Sequence, residues 1–93
     1  MMFCLICFDI VDDRDRYRVV KVLKNHALRV QKSVFECSQI SEEQFLKMKH
    51  RIEERIDHGD DTVRYCFICR QCLSKMEFSG TGELPANLDY KVV

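Results

Sequence analysis

Three sets of residues in this chain have types and spacings that could do chemistry. The first is cysteine, six in 93 residues, with Cys4 and Cys7 near the start and Cys66, Cys69 and Cys72 near the end, each set spaced like half of a zinc site. A zinc knuckle needs a tight turn that brings both sulfurs to one metal. Both clusters lie in β-branched and aromatic runs without Gly or Pro, where positions i and i+3 face opposite sides of a strand. They are therefore expected to be reduced thiols, acting as small core hydrophobes, and no zinc is expected. The second set is cationic: Arg14, Arg16, Arg18, Lys21, Lys24, Arg29 and Lys32 stand against Asp15 alone, a net of +6 in a chain whose total is zero. Such a stretch offers a phosphate-facing surface or simply a solvated helix face. The third is Asp9, a carboxylate that interrupts an apolar run. An Asp at a strand end leading into a helix commonly turns or caps the chain, although Asp12 and Asp13 are better placed for capping.

The elements that must position these residues are readable from pattern. Residues 2–10 form an apolar run without polar alternation, as in a central strand. Val19, Val20, Leu23 and Ala27 then trace one stripe of a helix over roughly 13–26, with Arg14, Arg18 and Lys21 sharing a different, solvent side. Leu28 to Cys37 predicts either one bent strand or two short ones, since no Gly or Pro decides. Ser41 with Gln44 makes a capping box, and Phe45, Met48, Ile52 and Ile56 trace the stripe of a second helix that Gly59 stops. Thr62 to Cys69 is the next strand, and Lys75 to Phe78 a further short one. The fold class is α+β, a ferredoxin-like β-α-β-β-α-β sandwich with an extra C-terminal strand. One domain is expected over 1–78, followed by a tail over 79–93 that packs on a partner subunit. With both helices on one sheet face, the other is left bare, and a two-fold homodimer is the simplest cover.

Composition limits the function classes. At 46% hydrophobic and 32% charged residues the chain should fold as an ordinary globular domain. No run approaches the roughly 18 apolar residues of a membrane span, and no basic segment precedes the apolar start, so a cytoplasmic location and no membrane partner are expected.

Phe8-Asp9-Ile10, Arg14 through Arg18, Val22-Leu23-Lys24 and above all Arg29-Val30-Gln31-Lys32-Ser33-Val34-Phe35-Glu36-Cys37 resemble the CRISPR-associated protein two family, the small nuclease-like subunit of spacer adaptation. The resemblance covers about residues 3–70, and Asp61-Thr62-Val63-Arg64-Tyr65 resembles the family's last core strand. Two departures are the cysteines and Phe8, where the family often has Tyr.

The resemblance implies an endonuclease that hydrolyses phosphodiester bonds of single-stranded RNA or double-stranded DNA, with Mg2+ or Mn2+ as cofactor and Asp9 as the catalytic and metal-binding residue. One carboxylate per chain is little, so the expected unit is a pair, one Asp9 from each subunit of the homodimer. By motif position Arg16, Arg18 and Arg29 become phosphate-positioning groups alongside Arg14 and Lys21, and Phe8, Ser33 and Phe35 become site support. For Phe35 the plainer reading is a core position. The implied partners are nucleic acid and a CRISPR integrase subunit. The resemblance also supports an alternative, a non-catalytic subunit that bridges integrase dimers and holds the DNA to be integrated. His26, His50 and His58 are read as surface residues, and an RNA-recognition motif is disfavoured because its paired aromatic strand signatures are missing.

Overall fold

The apolar run near the start becomes strand β1, Met2–Asp9, and β1 lies in the interior of the sheet, where an unbroken apolar sequence is needed. The structure, a computed structural model, describes residues 2–77 and Ser79. Helix α1 spans Asp13–Lys24; the Asp12 carboxylate accepts the Asp15 N–H at 3.0 Å and so satisfies one of the donors that a helix N-terminus leaves free. The helix stops two residues short of the sequence reading, at an Asn25 cap.

The ambiguous stretch resolves into two strands, β2 (Leu28–Gln31) and β3 (Val34–Ile40). No Gly or Pro makes that turn. Instead Arg29 folds its guanidinium onto the Lys32 carbonyl, with Nε at 3.1 Å and Nη2 at 2.5 Å. A bulge near the far end of β3 places Gln39 at a φ of 53°, a left-handed conformation that a non-glycine residue rarely adopts.

Helix α2, Glu42–Glu53, starts at the expected capping box: the Gln44 N–H donates to Ser41 Oγ and the Ser41 N–H to Gln44 Oε1, each at 3.1 Å. Strand β4 spans Thr62–Ile68, and a short helix α3 (Arg70–Leu73) follows it. This last element corrects the sequence reading: residues 75–77 form no strand, and Phe78 lies outside the described residues, as does the tail beyond Ser79. Leu73 explains the turn of the chain. Its side chain is buried, and its N–H closes onto the Cys69 carbonyl at 3.0 Å. The strand argument applied to the cysteines fails here too, because Cys69 is the N-cap of α3 and Cys72 lies within it.

The four strands run in the order β2-β3-β1-β4, with every neighbouring pair antiparallel, as a ferredoxin-like sandwich requires. Cys4, Ile6 and Phe8 of β1 and Phe35 and Cys37 of β3 pack with Val19, Val20 and Leu23 of α1 and Phe45, Met48 and Ile52 of α2 into one core. Both helices therefore cover the same sheet face. On the opposite face lie the alternate residues Leu5, Cys7 and Asp9, with Leu28 63% exposed beside them.

Candidate active site

Period-two alternation along β1 determines where Asp9 points. Cys4, Ile6 and Phe8 enter the core, so Asp9 emerges on the face away from the helices, at the strand's exposed end. Three connections meet around it. The β2–β3 turn is tied to β1 by the Phe8 N–H donating to the Ser33 carbonyl at 3.1 Å. Thr62, the first residue of β4, is the cross-strand partner of Asp9. The β1–α1 loop continues through Ile10, buried, and Val11, 70% exposed.

The sequence-predicted residues divide in this setting. Arg14 and Arg18 are exposed on the first turns of α1 and line an open groove with Val11, Asp12, Asp13 and Asp15; Lys21 is exposed one turn further on. These three cations face solvent. Arg16 and Arg29 are committed to the chain itself. Arg16 pairs with Asp13 and donates Nη1 to the Ile10 carbonyl at 3.1 Å, while Arg29 holds the Lys32 carbonyl with its guanidinium 5.6 Å from the Phe35 ring centre. Both steady a loop beside Asp9. Phe8 and Phe35 are buried on the helix side, rings 6.1 Å apart, and Ser33 contributes its backbone to the turn.

Two residues were not identified from sequence. Asp61 accepts the Val11 N–H across a separation of 50 residues, a pairing that no local pattern announces. Tyr17, 62% exposed, lies under the Lys21 ammonium at 5.6 Å; its i, i+4 spacing to Lys21 within the basic stretch was the available signal.

Among the described residues no three His, Cys, Asp or Glu side chains gather as a metal cage, and the Asp9 side chain makes no hydrogen bond or ion pair with them. A carboxylate that is exposed and unengaged fits Mg2+, which keeps several of its waters and takes one or two carboxylates together with substrate phosphate.

The chain has known relatives. Residues 2–76 match the family model for CRISPR associated protein Cas2. A protein of Chloroflexus aurantiacus named CRISPR-associated endoribonuclease Cas2 3 is 43% identical over 63 residues, covering 68% of this chain and 67% of the relative. A Thermus thermophilus protein named CRISPR-associated endonuclease Cas2 2 is 32% identical over 88 residues, covering 95% and 92%. In a solved structure described as a partial Cas6-RT-Cas1–Cas2 complex, one chain superposes with a TM-score of 0.76 at 26% identity, covering 100% of this chain and 99% of the other. The strand-end aspartate, the basic helix and the antiparallel ferredoxin-like sheet thus occur together in a chain that belongs to the CRISPR-associated protein Cas2 family.

Proposed function

We propose that this chain is an Mg2+- or Mn2+-dependent endonuclease of CRISPR adaptation that hydrolyses phosphodiester bonds of single-stranded RNA or double-stranded DNA, working in the cytoplasm as a homodimer beside an integrase subunit. The observation that carries this reading is the Asp9 carboxylate: exposed, unengaged and at the end of an interior strand, with the cations Arg14 and Arg18 on the next element. Relatives named endoribonuclease and endonuclease support the activity.

Asp9 would hold the metal. Its remaining positions would be filled by water, by phosphate oxygen and by Asp9 of a second copy packed on the sheet face away from the helices. A metal bound there supplies a water of lowered pKa and positive charge against the scissile phosphate, so no histidine base is needed. Arg14, Arg18 and Lys21 hold the flanking phosphates and so fix the strand's register; Arg16 and Arg29 hold the loops.

The test is Asp9→Asn, which keeps side-chain size and removes the charge. Dimer formation and duplex binding are expected to persist while Mg2+-dependent cleavage disappears; cleavage at the wild-type rate overturns the assignment. A second reading is a structural subunit that holds DNA for an integrase. It is favoured by the absence, among the described residues, of a cluster of carboxylates around Asp9, by the exposed cations Arg14 and Arg18, and by a related chain found in a complex with Cas1. Spacer acquisition retained in Asp9→Asn would establish this second role.

A further inference from the structure

The loop that follows Asp9 has little apolar packing to hold it. Val11 is 70% exposed and Asp12 and Asp13 are exposed as well, so beyond Ile10 the chain depends on polar contacts for its shape. One of these reaches across from β4. Asp61, the residue before that strand, accepts the Val11 N–H on Oδ1 at 3.0 Å and the Asp57 N–H on Oδ2 at 2.8 Å.

These two donors, Asp57 first and Val11 second, hold the Asp61 carboxyl below its ordinary range, because each stabilises the ionised form. Both oxygens are engaged, which makes Asp61 a poor metal ligand and a good fastener. The turn that carries it is itself closed: the Asp57 carbonyl accepts the N–H groups of Asp60 at 3.1 Å and Asp61 at 2.8 Å, and Asp57 Oδ1 accepts the Gly59 N–H at 2.9 Å.

Cross-strand pairing completes the arrangement. Asp9 is opposite Thr62, so the backbone runs from Asp9 through Ile10 to Val11, crosses by hydrogen bond to Asp61, continues to Thr62 and returns across the sheet to Asp9. This is a small closed ring with Asp9 as a member. Arg16 fastens the opposite side of the same loop by donating to the Ile10 carbonyl.

We infer that Asp61 is the positioning residue of the Asp9 site, holding the β1–α1 loop through Val11 so that the Asp9 carboxylate and the cations of the first α1 turns keep one mutual arrangement. This rests on the reading of Asp9 as the metal ligand, and the experiment separates the two. Mn2+ binding to the full chain is titrated by electron paramagnetic resonance for wild type, Asp9→Asn, Asp61→Ala and Asp61→Asn, with amide hydrogen exchange at Val11 and cleavage kinetics measured in parallel. Wild type without an Mn2+ site, or Asp9→Asn binding Mn2+ as wild type does, removes the Asp9 reading and this inference with it.

If Asp9 passes, Asp61→Ala is expected to weaken Mn2+ about tenfold, as loss of a group that orients a ligand commonly does. It should lower kcat about 10- to 100-fold with KM for RNA little changed, and should remove protection at Val11. Asp61→Asn keeps one acceptor and should fall between; being nearly isosteric, it carries the test if the alanine variant does not fold. Mn2+ affinity and kcat within twofold of wild type in a folded Asp61 variant overturn the inference. So does Mn2+ binding lost as completely as in Asp9→Asn with Val11 still protected, which would make Asp61 a ligand.

Discussion

Phe35 lies in β3, within residues 29–37, the stretch on which the sequence resemblance chiefly rests, and its burial determines how its substitution should be read. The side chain is fully buried, its ring is 6.1 Å from that of Phe8, and the Arg29 guanidinium caps it at 5.6 Å. Truncation to alanine removes most of a buried ring and leaves a cavity, at a cost of about 3–5 kcal/mol. A domain of 93 residues is stable by roughly 5–14 kcal/mol, so Phe35→Ala forfeits a large fraction of the total. Phe35→Leu keeps most of the volume and gives up chiefly the ring–ring and cation–ring interactions, about 1–1.5 kcal/mol, which should lower Tm by roughly 4–12 °C. The assay is urea unfolding followed by circular dichroism, the chain having no Trp, paired with RNA binding and cleavage at a temperature where every variant is folded. Phe35→Leu should lose stability and keep binding and cleavage. A Phe35→Leu protein with the wild-type unfolding midpoint and no nucleic-acid binding would refute the core assignment and make Phe35 a contact residue.

Replacing Arg14, Arg18 and Lys21 together with alanine should weaken duplex binding and reduce the slope of log affinity against log salt by up to about 3, near 0.9 for each phosphate no longer neutralised; an unchanged slope places the nucleic acid elsewhere. Burial pushes the Glu36 carboxyl up from its ordinary value of 4.5. The folded state therefore holds this proton more tightly than the unfolded chain, and stability falls as pH rises from about that ordinary value through the raised one. Glu36→Gln should flatten the Tm–pH curve across that window and raise Tm at neutral pH, and an unaltered curve would show that Glu36 carries no such linkage. Burial also pushes the Cys4 thiol to about 12, whereas the backbone N–H and then the thiol of Cys72 draw Cys69 below its ordinary value. Iodoacetamide should modify Cys69 early and Cys4 only on unfolding, as read by peptide mass spectrometry; equal rates in the folded protein would contradict this.

What could be read in advance was what neighbouring residues decide. The Asp12 cap and the Ser41–Gln44 box are each complete within four residues, and both form. The apolar stripes of α1 and α2 identify core residues because a helix repeats its face every few positions. The β2–β3 turn was ambiguous because its determinant is a guanidinium reaching a carbonyl, with no turn-forming residue to mark it. The same applies to Arg16 and Arg29: motif position suggested phosphate, whereas their hydrogen bonds go to Ile10 and Lys32. α3 was missed because four residues are too few to show a period. Asp9 as a strand-end carboxylate was legible, but its fastening through Asp61 depends on an interaction between distant parts of the chain.

The interior place of β1 also bears on how the protein is made. β1 is synthesised before both of its partners, β3 and β4, which end only at Ile40 and Ile68. At roughly 5–20 residues per second, an apolar strand waits several seconds with both edges unpaired. During that interval it is the segment most exposed to chaperone capture and to aggregation, and Asp9 is the only charge it carries. The carboxylate proposed as the metal ligand is thus also the one charge that opposes edge pairing of this strand on the nascent chain, and removing it should lower the yield of soluble protein.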